Sequence, residues 1–297
     1  MMRQMTIKRA VKRSAGWAAN CWQHVSAPAT SSSVSILMYH RVASIDFVDP
    51  VLDDWNVSPE VFERHIATLA DFAEIVPLAS IESRLSEERK TQKPLVALTF
   101  DDGYANFFTE AVPVLQQYNA PATVFVVTDS VGKTGPLGFD AWSQKHQEDV
   151  AEDVCRSMNW GEVEACLDSG VVTVGSHSHR HLKGTECSAQ QLHDEAALSR
   201  EVLAERLGAE NATMYAYPYG CTRLGFVTPE YVGAVREQFS LAVCTDLGVA
   251  TAESDSFLLP RIEAHALDDP GVIRAKATGT LAPYYLVERL RRKKRAI

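Results

Sequence analysis

Two short clusters concentrate side chains that can move protons or hold an ion. Phe100-Asp101-Asp102-Gly103 sets two carboxylates side by side, and His177-Ser178-His179-Arg180-His181 sets three imidazoles within one short stretch. Adjacent carboxylates oppose each other's ionisation unless something positive compensates them. His177 and His181 are four apart, so one helical turn or tight loop can aim both rings at one ion. With one carboxylate they make a two-histidine, one-carboxylate donor set that leaves positions open for water and substrate. The other carboxylate is then available as a base. Fe(II) oxygenases use the same donor types, but from a His-x-Asp pair and a distant histidine on a double-stranded β fold, which this spacing does not match. A divalent metal of the hydrolytic kind is expected, with Zn2+ favoured. His65, His146 and His193 stand alone and read as packed or hydrogen-bonded side chains.

These clusters need elements to carry them. Val34 to Met38, Leu95 to Phe100, Ala122 to Val127, Val171 to Gly175, Met214 to Tyr217, Leu241 to Val243 and Phe257 to Ile262 are short apolar runs that read as buried strands. Helical periodicity fills the intervals. The best-signalled helix starts at a capping box of Ser188 and Gln191, carries Leu192, Ala196, Leu203 and Leu207 as a stripe, and stops at Gly208. Such alternation predicts an α/β chain of parallel strands with crossover helices, closed as a barrel. Residues 129–168 exceed a minimal βα connection and predict a helical insertion. In such a barrel, chemistry gathers at the carboxyl ends of the strands. Asp101 and Asp102, His177 to His181, Tyr219 and His40 all follow predicted strands directly.

Of 297 residues, 46% are apolar and 23% charged, enough for a sizeable core, and the net charge of −9 excludes a general nucleic-acid binder. The charge is uneven. Residues 1–30 hold five basic groups and no acid, and residues 281–297 hold six against Glu288. The start lacks the apolar stretch of a secretory signal, so a cytoplasmic protein is expected. Ile7, Val11, Ala15, Ala18 and Trp22 recur at helical spacing among basic residues, so both ends suit peripheral contact with an anionic membrane on its inner face. The six cysteines are scattered and predict reduced thiols. The expected organisation is a basic leader and linker over 1–33, a catalytic domain over 34–270, and a basic tail over 271–297.

At Thr99-Phe100-Asp101-Asp102-Gly103-Tyr104, Ser176-His177-Ser178-His179-Arg180-His181 and Tyr217-Pro218-Tyr219-Gly220, the chain resembles the polysaccharide deacetylase family with its NodB-homology domain. The resemblance covers roughly residues 34–270 and implies a distorted (β/α)7 barrel in a single domain with the helical insertion. It implies Asp101 as general base and Asp102, His177 and His181 as metal ligands. It also implies attack of an activated water on an acetyl carbonyl, with the Tyr219 backbone N–H facing the oxyanion. In the commonest family order a Leu-x-His motif comes last and supplies the acid. Here Leu37-Met38-Tyr39-His40 comes first, which resembles the circularly permuted branch that includes poly-N-acetylglucosamine deacetylases. His40 is the expected acid, and His265, after Leu259-Pro260-Arg261-Ile262, is the alternative. The family's arginine before the third motif is Ala216 here, so Arg261 is expected to orient the base from another strand. The fourth, aspartate-tryptophan motif is missing, and Asp246 is a loose candidate to support the acid. Tyr104, Trp142 and Tyr219 are candidates to stack on sugar.

The implied activity is removal of N-acetyl groups from an amino sugar of a glycan or a lipid-linked sugar. An O-acetyl esterase is a second reading, since the same attack serves esters. A catalytically dead glycan-binding barrel is a third, and the presence of Asp101, Asp102, His177 and His181 counts against it.

Overall fold

The computed structural model describes residues 33–49, 51–52, 55–86 and 93–280. The basic leader up to residue 32 and residues 281–297 of the expected tail lie outside the described residues. The strands in chain order are β1 (Ser33–Tyr39), β2 (Arg41–Val42), β3 (Asn56–Val57), β4 (Glu74–Ile75), β5 (Leu95–Phe100), β6 (Ala122–Val126), β7 (Val172–Ser176), β8 (Met214–Ala216), β9 (Leu241–Val243), β10 (Ala250–Thr251) and β11 (Ile262–Glu263).

The main sheet runs β10-β1-β5-β6-β7-β8-β9, and every pair from β1 to β9 along it is parallel. β5 is buried along its whole length, as expected of a strand covered on both faces. The short β4 pairs with the start of β5, where β6 has not yet joined it. Closure comes from residues 259–263. Leu259 bridges to Val243 on one side, and Ile262 and Glu263 pair with Leu37 and Met38 on the other. The curled sheet is thereby drawn into the distorted barrel that the strand alternation predicts. Phe257 to Ile262 is not a continuous strand because Pro260 lacks a ladder donor. The paired residues are pushed to either side of it.

Helices cover the outside of the curl. Pro59–Phe72 packs its Phe62, Ile66 and Leu69 inward beneath a Ser58 cap. Ala189–Leu207 has the expected capping box and stops at Gly208, whose φ of +91° few other residues adopt. Pro270–Ala277 packs on β1 and on helix Pro59–Phe72, so the folded body extends past residue 270. The insertion forms two short helices, Ala141–His146 and Glu152–Cys155, followed by the crossover helix Trp160–Asp168. It is tied to the turn after β5 by Met158 N–H to the Gly103 carbonyl, at 2.9 Å.

Candidate active site

The carboxyl ends of the parallel strands open into a cleft of about 920 Å3. His40, Asp101, Asp102, His177, His181, Tyr219 and Arg261 all line it. His265 is not on that wall. Its Nε2 lies 3.0 Å from Glu263 Oε1, and its backbone N–H donates to Asp268.

Asp102 Oδ1 stands 3.4 Å from Nε2 of His177 and 3.4 Å from Nε2 of His181. Those separations are long for a hydrogen bond, which peaks near 2.9–3.0 Å. They suit an ion: ligands about 2.0–2.1 Å from a tetrahedral centre stand about 3.3–3.4 Å apart. His177 Nδ1 donates to the Ala216 carbonyl at 2.8 Å, which leaves Nε2 with its lone pair facing the gap. The buried His181 Nδ1 has no hydrogen-bond partner among the described residues. Asp102, His177 and His181 therefore fit a divalent metal by spacing and by donor chemistry.

Burial opposes the charge on Asp102, but the His177 and His181 rings outweigh it and hold the carboxyl well below its usual range. Burial and the His177 charge push His181 down to about 3, so its imidazole is neutral and able to ligate. Burial also works against protonated His177, yet Asp101 and Asp102 overcome it and raise its pKa. Ligation of an ion there releases a proton.

Asp101 is held apart from this set by a different partner. Arg261 donates from Nη1 to Oδ1 at 2.6 Å and from Nη2 to Oδ2 at 2.7 Å, a fork that fixes the plane of the carboxylate. Arg261 is itself buried, braced by the Cys244 carbonyl and Thr99 Oγ1. Burial alone would raise the Asp101 pKa, but Arg261 and His177 outweigh it and keep the carboxyl ionised. The arrangement thus separates a donor set for an ion from a fixed, charged acceptor for a proton.

The turns that carry these groups are held open against their own preference. Asp102, Ser178, His181 and Tyr219 have φ of +71°, +64°, +59° and +58°. Non-glycine residues seldom adopt such values, and they gather at functional sites. The histidine loop is pinned from behind by Glu195, fully buried on helix Ala189–Leu207, which accepts both the backbone N–H and Nε of Arg180 at 2.7 Å. Glu195 and Ser199 are the two polar residues on the buried face of that helix, among Leu192, Ala196 and Leu203. Phe139, from the insertion, stacks on His181 at 3.8 Å between centroids. Trp142 does not reach the cleft; it is buried against Phe47 and under Arg41. Tyr104 lines the cleft and donates its hydroxyl to Asp140 at 2.7 Å. Asp246 accepts from Thr222 and Cys221 and contacts no histidine among the described residues.

Residues 88–228 match the model of the family described as polysaccharide deacetylase. The matched stretch is a polysaccharide deacetylase domain. It is 24% identical over 245 residues to YxkH of Bacillus subtilis, covering 82% of this chain and 74% of that protein. It is 24% identical over 248 residues to the poly-beta-1,6-N-acetyl-D-glucosamine N-deacetylase of Staphylococcus epidermidis, covering 78% of each. In fold it is similar to the Streptococcus pyogenes deacetylase PplD in complex with acetate, with a TM-score of 0.66 and 22% identity over 84% of this chain and 99% of that one. IcaB from Ammonifex degensii superposes with a TM-score of 0.65 and 22% identity, covering 83% and 97%. The NodB-type barrel expected from the sequence is thus the fold observed.

Proposed function

We propose that the protein is a metal-dependent deacetylase that releases acetate from N-acetylated amino sugars of a glycan. One observation carries the reading: a fixed, ionised Asp101 stands beside the Asp102, His177 and His181 donor set in a single cleft. The N-deacetylase named among its relatives supports the amide substrate.

When bound, a divalent cation (zinc suits these donors) would polarise the acetyl carbonyl and make a water nucleophilic near neutral pH. Asp101 accepts the proton that this water gives up, and Arg261 holds its carboxylate at the angle to receive it. The Tyr219 backbone N–H serves the developing oxyanion. His40, on the cleft wall, then gives a proton to the departing sugar nitrogen, so acetate and a free amine leave. His265, turned away onto Glu263, is the weaker candidate for that step.

Acetate release from N-acetylglucosamine oligomers and from an O-acetylated glycan, with bound metal quantified, tests the reading. About one zinc per chain and an amide rate that vanishes in Asp101→Asn are expected. A rate on esters alone would make the protein an O-acetyl esterase.

The reading extends to place. The basic stretches 1–30 and 281–297 support peripheral contact with an anionic, cytoplasm-facing membrane, where a lipid-linked N-acetyl sugar would also be a substrate. No helix among the described residues is long and apolar enough to cross a membrane. Full-length protein should float with anionic vesicles and stay behind with neutral ones, and a variant lacking both stretches should lose the difference.

A further inference from the structure

The two histidines of the donor set are held in different ways. The plane of an imidazole turns about a soft torsion, so contacts outside the ring must fix it before its nitrogen can face an ion. A hydrogen bond from the second ring nitrogen is the usual device. His177 has one, from Nδ1 to the Ala216 carbonyl at 2.8 Å. His181 does not, since its buried Nδ1 has no hydrogen-bond partner among the described residues. Rings surround it instead. Phe139 lies flat on its face, with centroids 3.8 Å apart and planes 16° from parallel. Tyr219 and His177 stand steeply inclined to it, at 4.9 Å each.

Phe139 comes from the insertion, and the next residue sets its place. Asp140 accepts from Arg41 Nη2 at 2.6 Å, from the Tyr104 hydroxyl at 2.7 Å and from Ser143 Oγ. It also caps helix Ala141–His146 by accepting the Trp142 N–H at 3.0 Å. Arg41 is buried, with its guanidinium 4.5 Å from the ring centroids of both Tyr104 and Trp142, and its Nε donates to the Val154 carbonyl at 2.8 Å. Arg41 follows His40 in the chain and Tyr104 follows the Asp101-Asp102-Gly103 turn, so this anchor ties the insertion to two segments that carry the chemistry. Turning the His181 ring out of its plane would drive it into Phe139, which Asp140 keeps from retreating.

We propose that Phe139 is a positioning residue for the ion: anchored through Asp140, its ring fixes the plane of His181 and so aims Nε2 at the gap shared with Asp102 and His177. This rests on the donor-set half of the proposed function and not on the identity of the substrate. The insertion is thereby part of the ion site, although it supplies no ligand.

The test uses full-length protein, with Zn2+ and Co2+ as probes and a chelator as competitor. Phe139→Ala should weaken Zn2+ binding at least about tenfold and alter the visible absorption of the Co2+-loaded protein, which reports the arrangement of ligands around the ion. Phe139→Leu keeps apolar volume without a flat face and should fall with alanine. Phe139→Tyr restores the face, and should bind within about twofold of wild type with its absorption unchanged. Asp140→Asn keeps the helix cap but loses the charge that faces Arg41, and should weaken binding about threefold. Phe47→Leu loosens the insertion outside the cleft, where Phe47 stacks on Trp142 at 5.9 Å, and should leave both readouts as they are. Unchanged Zn2+ affinity and Co2+ absorption in Phe139→Ala overturn the proposal, as does an equal loss in Phe47→Leu. Wild-type protein that binds neither metal overturns the donor set and the proposal with it, whereas metal bound without acetate release removes only the deacetylase reading.

Discussion

At the scale of single residues, the site depends on how Asp101 is kept charged while buried. Arg261 makes that possible from 160 residues away in the chain. Replacing it by glutamine leaves burial opposed mainly by His177, so the Asp101 pKa rises and a higher pH is needed to ionise that carboxyl. Arg261→Gln should therefore lower kcat/KM and move the acid limb of its pH profile upward, as read by initial rates across pH. Stability follows the same sign. A carboxyl whose folded pKa is depressed contributes stability above its unfolded pKa and loses it as pH falls through the folded value. Breaking such a buried pair from one side costs about 3–5 kcal/mol, measurable by urea unfolding near neutral pH. The candidate donors Asp102, His177 and His181 were legible in the sequence because each sits in a short, unusual motif at a strand end. The arginine was legible only as a candidate, because its partner stands on another strand 160 residues away and no local pattern encodes that pairing.

Among the elements, the loop after β7 shows how a helix can tune an ion site without touching it. Ser178 Oγ accepts the His181 N–H at 2.9 Å, Ser176 Oγ accepts the Ser178 N–H at 3.1 Å, and Glu195 clamps Arg180 from helix Ala189–Leu207. Glu195→Ala should therefore weaken binding of a divalent cation by about tenfold or more while Asp102, His177 and His181 all remain, as read by competition with a chromophoric chelator. Backbone proximity imposes a second constraint. A Cβ on Gly184 would stand 2.0 Å from the Phe226 carbonyl oxygen, in the loop after β8. Gly184→Ala should force the two loops apart and cost roughly 1–3 kcal/mol, seen as a lower urea midpoint. The capping box and stop of that helix follow from Ser188, Gln191 and Gly208 and could be read in advance. The two-residue strands β2, β3, β4 and β10 could not, since their pairing is decided by neighbours distant in the chain.

For the whole molecule, the last described helix acts as a clasp. Lys276 and Asp268 are both buried and bonded to each other, and His65 Nε2 bonds the Asp268 carbonyl at 2.9 Å. Lys276→Met strips a buried carboxylate of its ammonium, a loss of about 3–5 kcal/mol that should lower Tm by about 10 °C. The expected boundary at 270 follows the reach of the family resemblance, and the helix Pro270–Ala277 lies just beyond it. The same region sets the outlook of the enzyme. Ser35 Oγ donates to the Ala277 carbonyl at 3.0 Å, so the chain enters and leaves the barrel side by side, near the amino end of β1. His40 lies at the other end of that strand, about 17 Å away at 3.3 Å per residue. Both ends of the described residues thus lie behind the barrel, and the cleft faces away from them, open to a glycan strand that passes across it.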